Sequence, residues 1–265
     1  MKPFLKWAGG KRKLVGKLAS FVPDQYGSYY EPFVGAGALF FHLQPDKAII
    51  NDSNKELMNV YSVVQNDPTD LINKLSEYHD KLDKESYVAI RATDPKNLGS
   101  IERAARFIYL NKTCFNGLFR VNSKGQFNVP YGNYKSPLLP TAANIMEASR
   151  LLEKTTILSM DYLSVCKMPV ENDLVYFDPP YDPISKTSNF TAYTKDKFYE
   201  SDQVALSNQF KLLTDRNVRC ILSNNDTPLI RSLYADFNII EVSSERNIAA
   251  NKQNRGRVTE LIISN

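Results

Sequence analysis

Asp178-Pro179-Pro180-Tyr181 directly follows the apolar run Leu174-Val175-Tyr176-Phe177, so a carboxylate and then a rigid elbow stand at the end of a buried strand. Two successive prolines fix φ and donate no backbone N–H. The Asp178 carboxylate and the Pro179 carbonyl are thereby left as unpaired acceptors at a strand's C-terminal edge, where open α/β sheets place ligands. Tyr181 adds a flat ring beside them. An exocyclic amino group on a planar base finds here two acceptors for its two protons and a surface for its ring. A plain strand-to-loop turn also uses Asp-Pro-Pro, but it has no task for the aromatic that follows.

Near the N-terminus, Gly35-Ala36-Gly37 follows one strand and precedes an apolar segment, an arrangement in which small residues let the backbone approach a ligand. Asp52 ends the next strand, about where a doubly wound nucleotide site places the acid that accepts from ribose hydroxyls. Its other reading is a helix N-cap, because Asp52-Ser53-Asn54 opens a helix-like segment. Lys6, Trp7 and Lys11 surround Gly9-Gly10, but the glycine spacing is wrong for a phosphate-binding loop and Arg12 stands where Ser or Thr would hold magnesium. Phe40 occupies the place of the third glycine of a dinucleotide fingerprint, which argues against a dehydrogenase. None of the three cysteines follows a proline, as a cytosine-C5 mechanism would require.

Asp-Pro-Pro-Tyr at 178–181 resembles the catalytic motif of amino-group DNA methyltransferases. Further stretches resemble the Dam type, the D12 class, of the adenine-N6 enzymes: Phe4-Leu5-Lys6-Trp7-Ala8-Gly9-Gly10-Lys11, Glu31-Pro32-Phe33-Val34-Gly35-Ala36-Gly37, Asn116 to Asn122 continuing to Phe127-Asn128-Val129-Pro130-Tyr131-Gly132, and Asn189-Phe190-Thr191-Ala192-Tyr193. They run in the family's order over nearly the whole chain.

The resemblance implies a Rossmann-like, S-adenosylmethionine-dependent methyltransferase fold with a mixed seven-stranded sheet. It also implies an inserted, mainly helical target-recognition domain with a hairpin. Asp178, Pro179, Pro180 and Tyr181 would be catalytic. Trp7, Lys11, Phe33, Gly35, Gly37, Asp52, Asp161 and Asp178 would hold S-adenosylmethionine. Lys6, Phe115, Asn116, Leu118, Arg120, Asn128 and Pro130 would meet double-stranded DNA, with Arg120 and Pro130 reading bases, Phe115 or Leu118 helping to intercalate, and GATC as the target. Phe115 stands where many relatives carry Tyr, which keeps a wedge and removes a hydroxyl.

Bland readings stand beside several of these: a core aromatic for Trp7, an N-cap or turn for Asp161 and a surface salt bridge for Arg120. For the basic loop with Arg246, Lys252, Arg255 and Arg257, a solvated surface competes with phosphate contact. A non-catalytic DNA-binding protein on this fold and an RNA adenine methyltransferase are the rival functions.

These residues need a sheet to position them. Short apolar or β-branched runs predict strands at 28–31, 47–51, 155–160, 174–178, 219–223, 237–242 and 259–264. Helix-like segments fall at 11–20, 142–152, 202–215 and 227–234, giving β-α alternation and a terminal antiparallel hairpin. The interval 55–141 breaks that rhythm, with helices predicted at 55–65, 69–82 and 101–113 and then a polar, aromatic-rich stretch. It reads as an insertion between the second and third strands, leaving 1–54 and 142–265 as the catalytic domain.

A chain of 265 residues with 43% hydrophobic content can bury one large core or one core and an appendage. Net charge +4 is compatible with a polyanionic partner without proving one. Cys114, Cys166 and Cys220 lack disulfide or metal spacing, so free thiols and no metal are expected. No signal core or membrane-length apolar stretch is present in the sequence, which predicts a cytoplasmic protein without a membrane partner. Oligomeric state and biological setting, whether restriction system, host circuit or phage, stay open.

Overall fold

The computed structural model of the chain describes residues 1–183, 198–245 and 257–265. Its seven strands are β1 (Tyr29–Glu31), β2 (Ala48–Asn51), β3 (Thr155–Leu158), β4 (Leu174–Phe177), β5 (Arg219–Asn225), β6 (Asn238–Glu245) and β7 (Arg257–Ser264). They form one sheet in the order β3-β2-β1-β4-β5-β7-β6. β1 to β5 pair in parallel, whereas β7 runs antiparallel to both β5 and β6. The mixed seven-stranded α/β sheet predicted from the sequence is the one observed.

Helices α1 (Val15–Ala19), α2 (Ala38–Leu43) and α3 (Lys55–Asn66) come first, followed by α4 (Pro68–Ser76), α5 (Lys84–Ala92) and α6 (Ser100–Thr113). After β2 the chain thus stays helical until the polar stretch. Then come α7 (Ala142–Leu152), α8 (Tyr162–Val165), α9 (Glu200–Asp215) and α10 (Pro228–Leu233).

Alternation along each strand explains why β4 is apolar throughout. Leu174 and Tyr176 join one core cluster with Tyr29, Ile50, Ile221 and Ile262, while Val175 and Phe177 join the other with Tyr30, Cys220, Leu222 and Ile263. Successive strand side chains point to opposite faces, so a central strand covered on both sides must be apolar at every position. Asp178 is the first residue past that buried run. A third, smaller cluster of Tyr87, Tyr109, Leu110, Cys114, Val129 and Leu139 belongs to the interval between β2 and β3. Within that interval α3 sides with the sheet: Leu57, Val60, Tyr61 and Val64 lie in the first cluster.

Several boundaries differ from the sequence reading. The helix predicted over 11–20 forms only at Val15–Ala19, because Lys11 to Leu14 turn on a backbone bond from Leu14 N–H to Lys11 O, with Lys11 buried. The helix predicted over 69–82 ends at Ser76, and a new one, α5, starts behind Asp83, whose side chain accepts from Ser86 N–H. The predicted strand 155–160 stops at Leu158 because Asn51 takes both the N–H and the carbonyl of Met160 through its side chain. Between Phe115 and Tyr134 there is no regular strand but a looped hairpin with two isolated antiparallel bridges, Cys114 with Tyr131 and Val121 with Phe127. Cys114, Cys166 and Cys220 are buried free thiols. Among the described residues no helix is long and apolar enough to cross a membrane.

Candidate active site

The C-terminal ends of β1, β2 and β4 lie side by side where the strand order reverses, with β1 leading outward to β2 while β4 flanks its other edge. In open sheets that crevice is the ligand site. Asn51, buried at the end of β2, ties three strand ends together by donating to Pro32 O and Met160 O and accepting from Met160 N–H.

The β1 turn is shaped by two glycines. Gly35 has φ +48° and Gly37 φ +66°, conformations that side chains with a Cβ resist. A Cβ on Gly35 would stand 2.7 Å from Trp7 Cδ1, so the turn lies directly against the indole. Trp7 is half-buried and forms a three-ring cluster with Phe107 and Phe119, with ring centroids 6.2 and 6.0 Å away from it and 5.3 Å from each other. Trp7 therefore packs as an aromatic while also facing the glycine turn. Phe33 packs its ring against Tyr162 and Phe198, at 5.0 and 5.9 Å.

Asp52 is not the helix cap. Asn54 caps α3, accepting from Glu56 and Leu57 N–H, while Asp52 Oδ1 accepts from Asn54 N–H at 2.9 Å and Oδ2 from Gly35 N–H at 3.2 Å. Its carboxylate thus braces the glycine turn, and burial pushes its pKa up to about 6 against the pull of those two N–H groups. Each oxygen keeps a lone pair for a further donor. For Asp161 the N-cap reading is the one observed: its Oδ1 accepts from Leu163 N–H at 2.7 Å at the start of α8.

Asp178 corrects one expectation. The carboxylate is not an unpaired acceptor: Lys11 Nζ lies 2.9 Å from Oδ1, and Ser223 Oγ donates to the same oxygen at 3.0 Å. With the Ser223 proton so directed, the 3.0 Å contact between Tyr176 and Ser223 must have Tyr176 O–H donating. Among the described residues both partners meet Oδ1, so Oδ2 is the oxygen available to a ligand. Burial raises the pKa of Asp178, opposed by the Lys11 charge and by the hydrogen bonds from Lys11 and Ser223. Lys11 also donates to Gly9 O and sits 4.4 Å from the centroid of the Tyr181 ring. Tyr181 O–H donates to Glu260 Oε2 at 2.9 Å, and burial together with Asp178 and Glu260 holds that hydroxyl protonated.

The sequence reading missed Ser223, Glu260 and Asn51. The signal available for Ser223 was its position, a polar residue closing the apolar run of β5. Glu260 was silent, because only the antiparallel return of β7 brings it to β5.

The residues predicted to meet DNA gather around the hairpin. Lys6 joins it to the N-terminal loop: its N–H donates to Asn111 Oδ1, its carbonyl accepts from Asn111 Nδ2, and its ammonium lies 4.4 Å from the Tyr134 ring centroid. Phe115 and Asn116 are exposed, Asn116 with φ 55°, and Leu118 is half-buried against the third core cluster. Arg120 makes no salt bridge among the described residues; its Nε donates to Asn128 Oδ1 at 2.7 Å and its NH2 to Asn128 O at 3.2 Å. Pro130 is exposed and its carbonyl accepts from Phe115 N–H. The motif 189–193 and the basic residues Arg246, Lys252 and Arg255 lie outside the described residues, as does the Arg257 side chain.

The sheet order and the carboxylates flanking a glycine turn define an α/β enzyme of the methyltransferase fold. Comparison with known proteins makes this specific. The family profile for the D12 class N6 adenine-specific DNA methyltransferase matches residues 7–248. A type II methyltransferase of Lactococcus lactis subsp. cremoris is 43% identical, covering all of this chain and 95% of its own. A type II methyltransferase of Methanocaldococcus jannaschii is 42% identical over all of this chain and 99% of its own. The DNA adenine methylase of Escherichia coli K12 is 33% identical over 98% of this chain and 94% of its own. The chain belongs to the D12 class of adenine-N6-specific DNA methyltransferases, and it is an adenine-specific DNA methyltransferase.

Proposed function

We propose that this enzyme transfers a methyl group from S-adenosylmethionine to N6 of an adenine extruded from duplex DNA, within GATC. The observation that carries the reading is Asp178, held at the crevice end of β4 with Oδ1 engaged by Lys11 and Ser223 and Oδ2 left for the base.

The residues at the β1 and β2 ends fit the methyl donor. The Gly35 turn brings the backbone directly against the Trp7 indole, and Asp52 retains acceptor capacity for vicinal hydroxyls. Trp7, Phe33, Gly35, Gly37, Asp52 and Asp161 would hold it. Among the described residues Lys11 uses two of its three N–H donors in hydrogen bonds, to Asp178 and Gly9 O. When bound, the donor supplies an electrophilic methyl on a sulfonium.

The N6 lone pair of adenine is delocalised into the ring and weakly nucleophilic. Asp178 Oδ2 and the Pro179 carbonyl would accept the two N6 protons and draw the nitrogen toward tetrahedral geometry, freeing that lone pair. Transfer of that methyl, with the donor leaving as a neutral thioether, would leave N6 with a surplus proton, which Asp178 Oδ2 would take along its hydrogen bond and pass to solvent. No covalent enzyme intermediate is required. Near-attack alignment of this kind is worth roughly 7 to 11 kcal/mol. Pro180 completes the rigid elbow, and Tyr181 stacks on the base, which must leave the duplex because N6 is otherwise out of reach.

In this reading 1–54 and 142–265 form the catalytic domain and 55–141 the target-recognition domain. Arg120 makes a bidentate contact to guanine. Phe115 and Leu118 wedge the stack, and Lys6, Asn116, Asn128 and Pro130 line the DNA surface. The test is incubation with labelled S-adenosylmethionine and a panel of duplexes, followed by mapping of the methylated base. N6-methyladenine confined to GATC is expected. Methylation of another sequence refutes the target, and label on cytosine refutes the chemistry.

A further inference from the structure

Two adjacent prolines create a mechanical problem at 179–180, because a segment without N–H groups cannot be anchored by its own donors. Its carbonyls must be held from outside. One buried amide side chain does this for Pro180, and two more hold Asp182, just past Tyr181. Gln203 Nε2, on α9, donates to Pro180 O at 2.9 Å; Asn225 Nδ2, at the end of β5, donates to Asp182 O at 2.6 Å; and Asn224 Oδ1 accepts from Asp182 N–H at 3.0 Å. The three are also tied to one another, since Asn224 Nδ2 donates to Gln203 Oε1 at 3.1 Å and Asn225 N–H to Asn224 Oδ1 at 2.8 Å. Their exposures of 1%, 0% and 4% leave water little access to replace these bonds.

We propose that Gln203, Asn224 and Asn225 are positioning residues for methyl transfer, forming an amide clamp behind 180–182 that holds the Pro179 carbonyl and the Tyr181 ring in register with Asp178. The inference rests on the reading of 178–181 as the reacting motif. The clamp grips the backbone on both sides of Tyr181, so it touches neither the ring, one face of which carries Lys11, nor Asp178 Oδ2. Ser223 from the same strand end fixes the carboxylate, and the next two residues of β5 fix the elbow that follows it. A single strand terminus thus fixes the carboxylate and, through Asp182, the backbone just past Tyr181. Buried polar networks of this kind specify one geometry when every member is satisfied.

Gln203→Met removes the donor to Pro180 O while keeping a side chain of similar length and good helix propensity, and Asn225→Ser shortens the donor to Asp182 O. The rate of single-turnover methyl transfer is measured at saturating donor and duplex, alongside the Kd for S-adenosylmethionine, the Kd for duplex and Tm. Asp178→Asn and Leu213→Val are run in parallel, the latter on the core face of α9 away from the clamp. Each clamp variant is expected to lose about 10- to 100-fold in rate, the scale of a 1 Å misplacement at the reacting atoms. Both dissociation constants should stay within about threefold, so the loss lies in the transition state. Leu213→Val should lower Tm at the parental rate.

Parental rates in both clamp variants, with lowered Tm, would reduce the clamp to a stability element and overturn the proposal. A weakened donor Kd that accounts for the whole effect would overturn it equally. If Gln203→Met does not fold, Asn225→Ser decides alone. Should Asp178→Asn keep the parental rate, it is the reading of the motif that fails, a result distinct from failure of the clamp.

Discussion

The strand-end site and the hairpin proposed to read DNA are built on opposite principles. Around Asp178 the functional groups are tied into the fold: a buried lysine and a buried serine on the carboxylate, a half-buried glutamate on Tyr181, and buried Asn51 across three strand ends. Around Arg120 the hairpin has two isolated bridges, two solvent-exposed bonds to Asn128 and turn bonds between Asn122 and Gln126, with Tyr87 and Arg91 of α5 holding Val129 O, and no sheet lies beneath. Methyl transfer requires reacting atoms to be held within a fraction of an ångström. A DNA-reading surface must instead exchange its internal hydrogen bonds for contacts to bases. The Arg120 guanidinium, parked on Asn128, is ordered in the free protein and can be released at little cost.

The largest effect that would break this contrast is at the rigid end. Asp178→Asn is expected to keep the fold and donor binding while losing roughly 10²- to 10³-fold in kcat, the scale of removing one preorganised electrostatic group. The amide also points a donor at the base or at Lys11, depriving the lysine of its ion partner. Parental kcat in purified enzyme would show that Asp178 is not the acceptor.

Asp52→Ala should weaken S-adenosylmethionine binding by about 1 to 3 kcal/mol, with duplex affinity nearly unchanged. Calorimetry checks it; unaltered donor affinity with lowered Tm would leave Asp52 only as the brace of the Gly35 turn. The same carboxyl carries a pH signature. Burial holds its pKa at about 6 in the fold, above the ordinary carboxylate value of about 4, so the folded protein holds a proton that the unfolded chain releases. That stabilisation is complete below about pH 4 and is lost as pH rises through about 6. Urea unfolding of the ligand-free protein should therefore show stability falling by on the order of 2 kcal/mol between those limits relative to Asp52→Asn. A difference independent of pH would mean that the carboxyl is not desolvated.

At the hairpin, Arg120→Ala should relax preference at one guanine of GATC by about 1 to 3 kcal/mol, because a bidentate contact discriminates bases whereas a phosphate contact does not. The measurement is kcat/KM for GATC over that for each single-substituted site at one salt concentration. Equal losses on every duplex would make Arg120 a backbone clamp. The smallest effect sharpens the comparison: Asn128→Ala should change stability by less than about 0.5 kcal/mol, as surface substitutions do, yet narrow the same discrimination ratio. A large stability loss would show that the hairpin is as rigid as the strand ends.

Much of the strand-end site was legible because local chemistry announces it. A buried run ending in Asp-Pro-Pro-Tyr, glycines after β1 and an acid after β2 follow from strand periodicity and from the special backbone of proline and glycine. The hairpin was legible only by resemblance. Val121 and Phe127 form a bridge rather than strands, and no periodicity marks it. Helix α5 was missed because its polar sequence, Lys84–Ala92, buries only Tyr87 and gives a weak apolar stripe.

By itself the sequence determined the sheet strands, the acids at their ends and the family, since each depends on residues near one another in the chain or in a motif's order. Only the tertiary structure decided which groups share a hydrogen bond across long separations. Lys11 reaches Asp178, Ser223 joins it from β5, Glu260 arrives on an antiparallel return, and Asn54 takes the cap that Asp52 leaves for the glycine turn. Those pairings are set by strand order and by the requirement that buried polar groups find partners, and neither is encoded in local spacing.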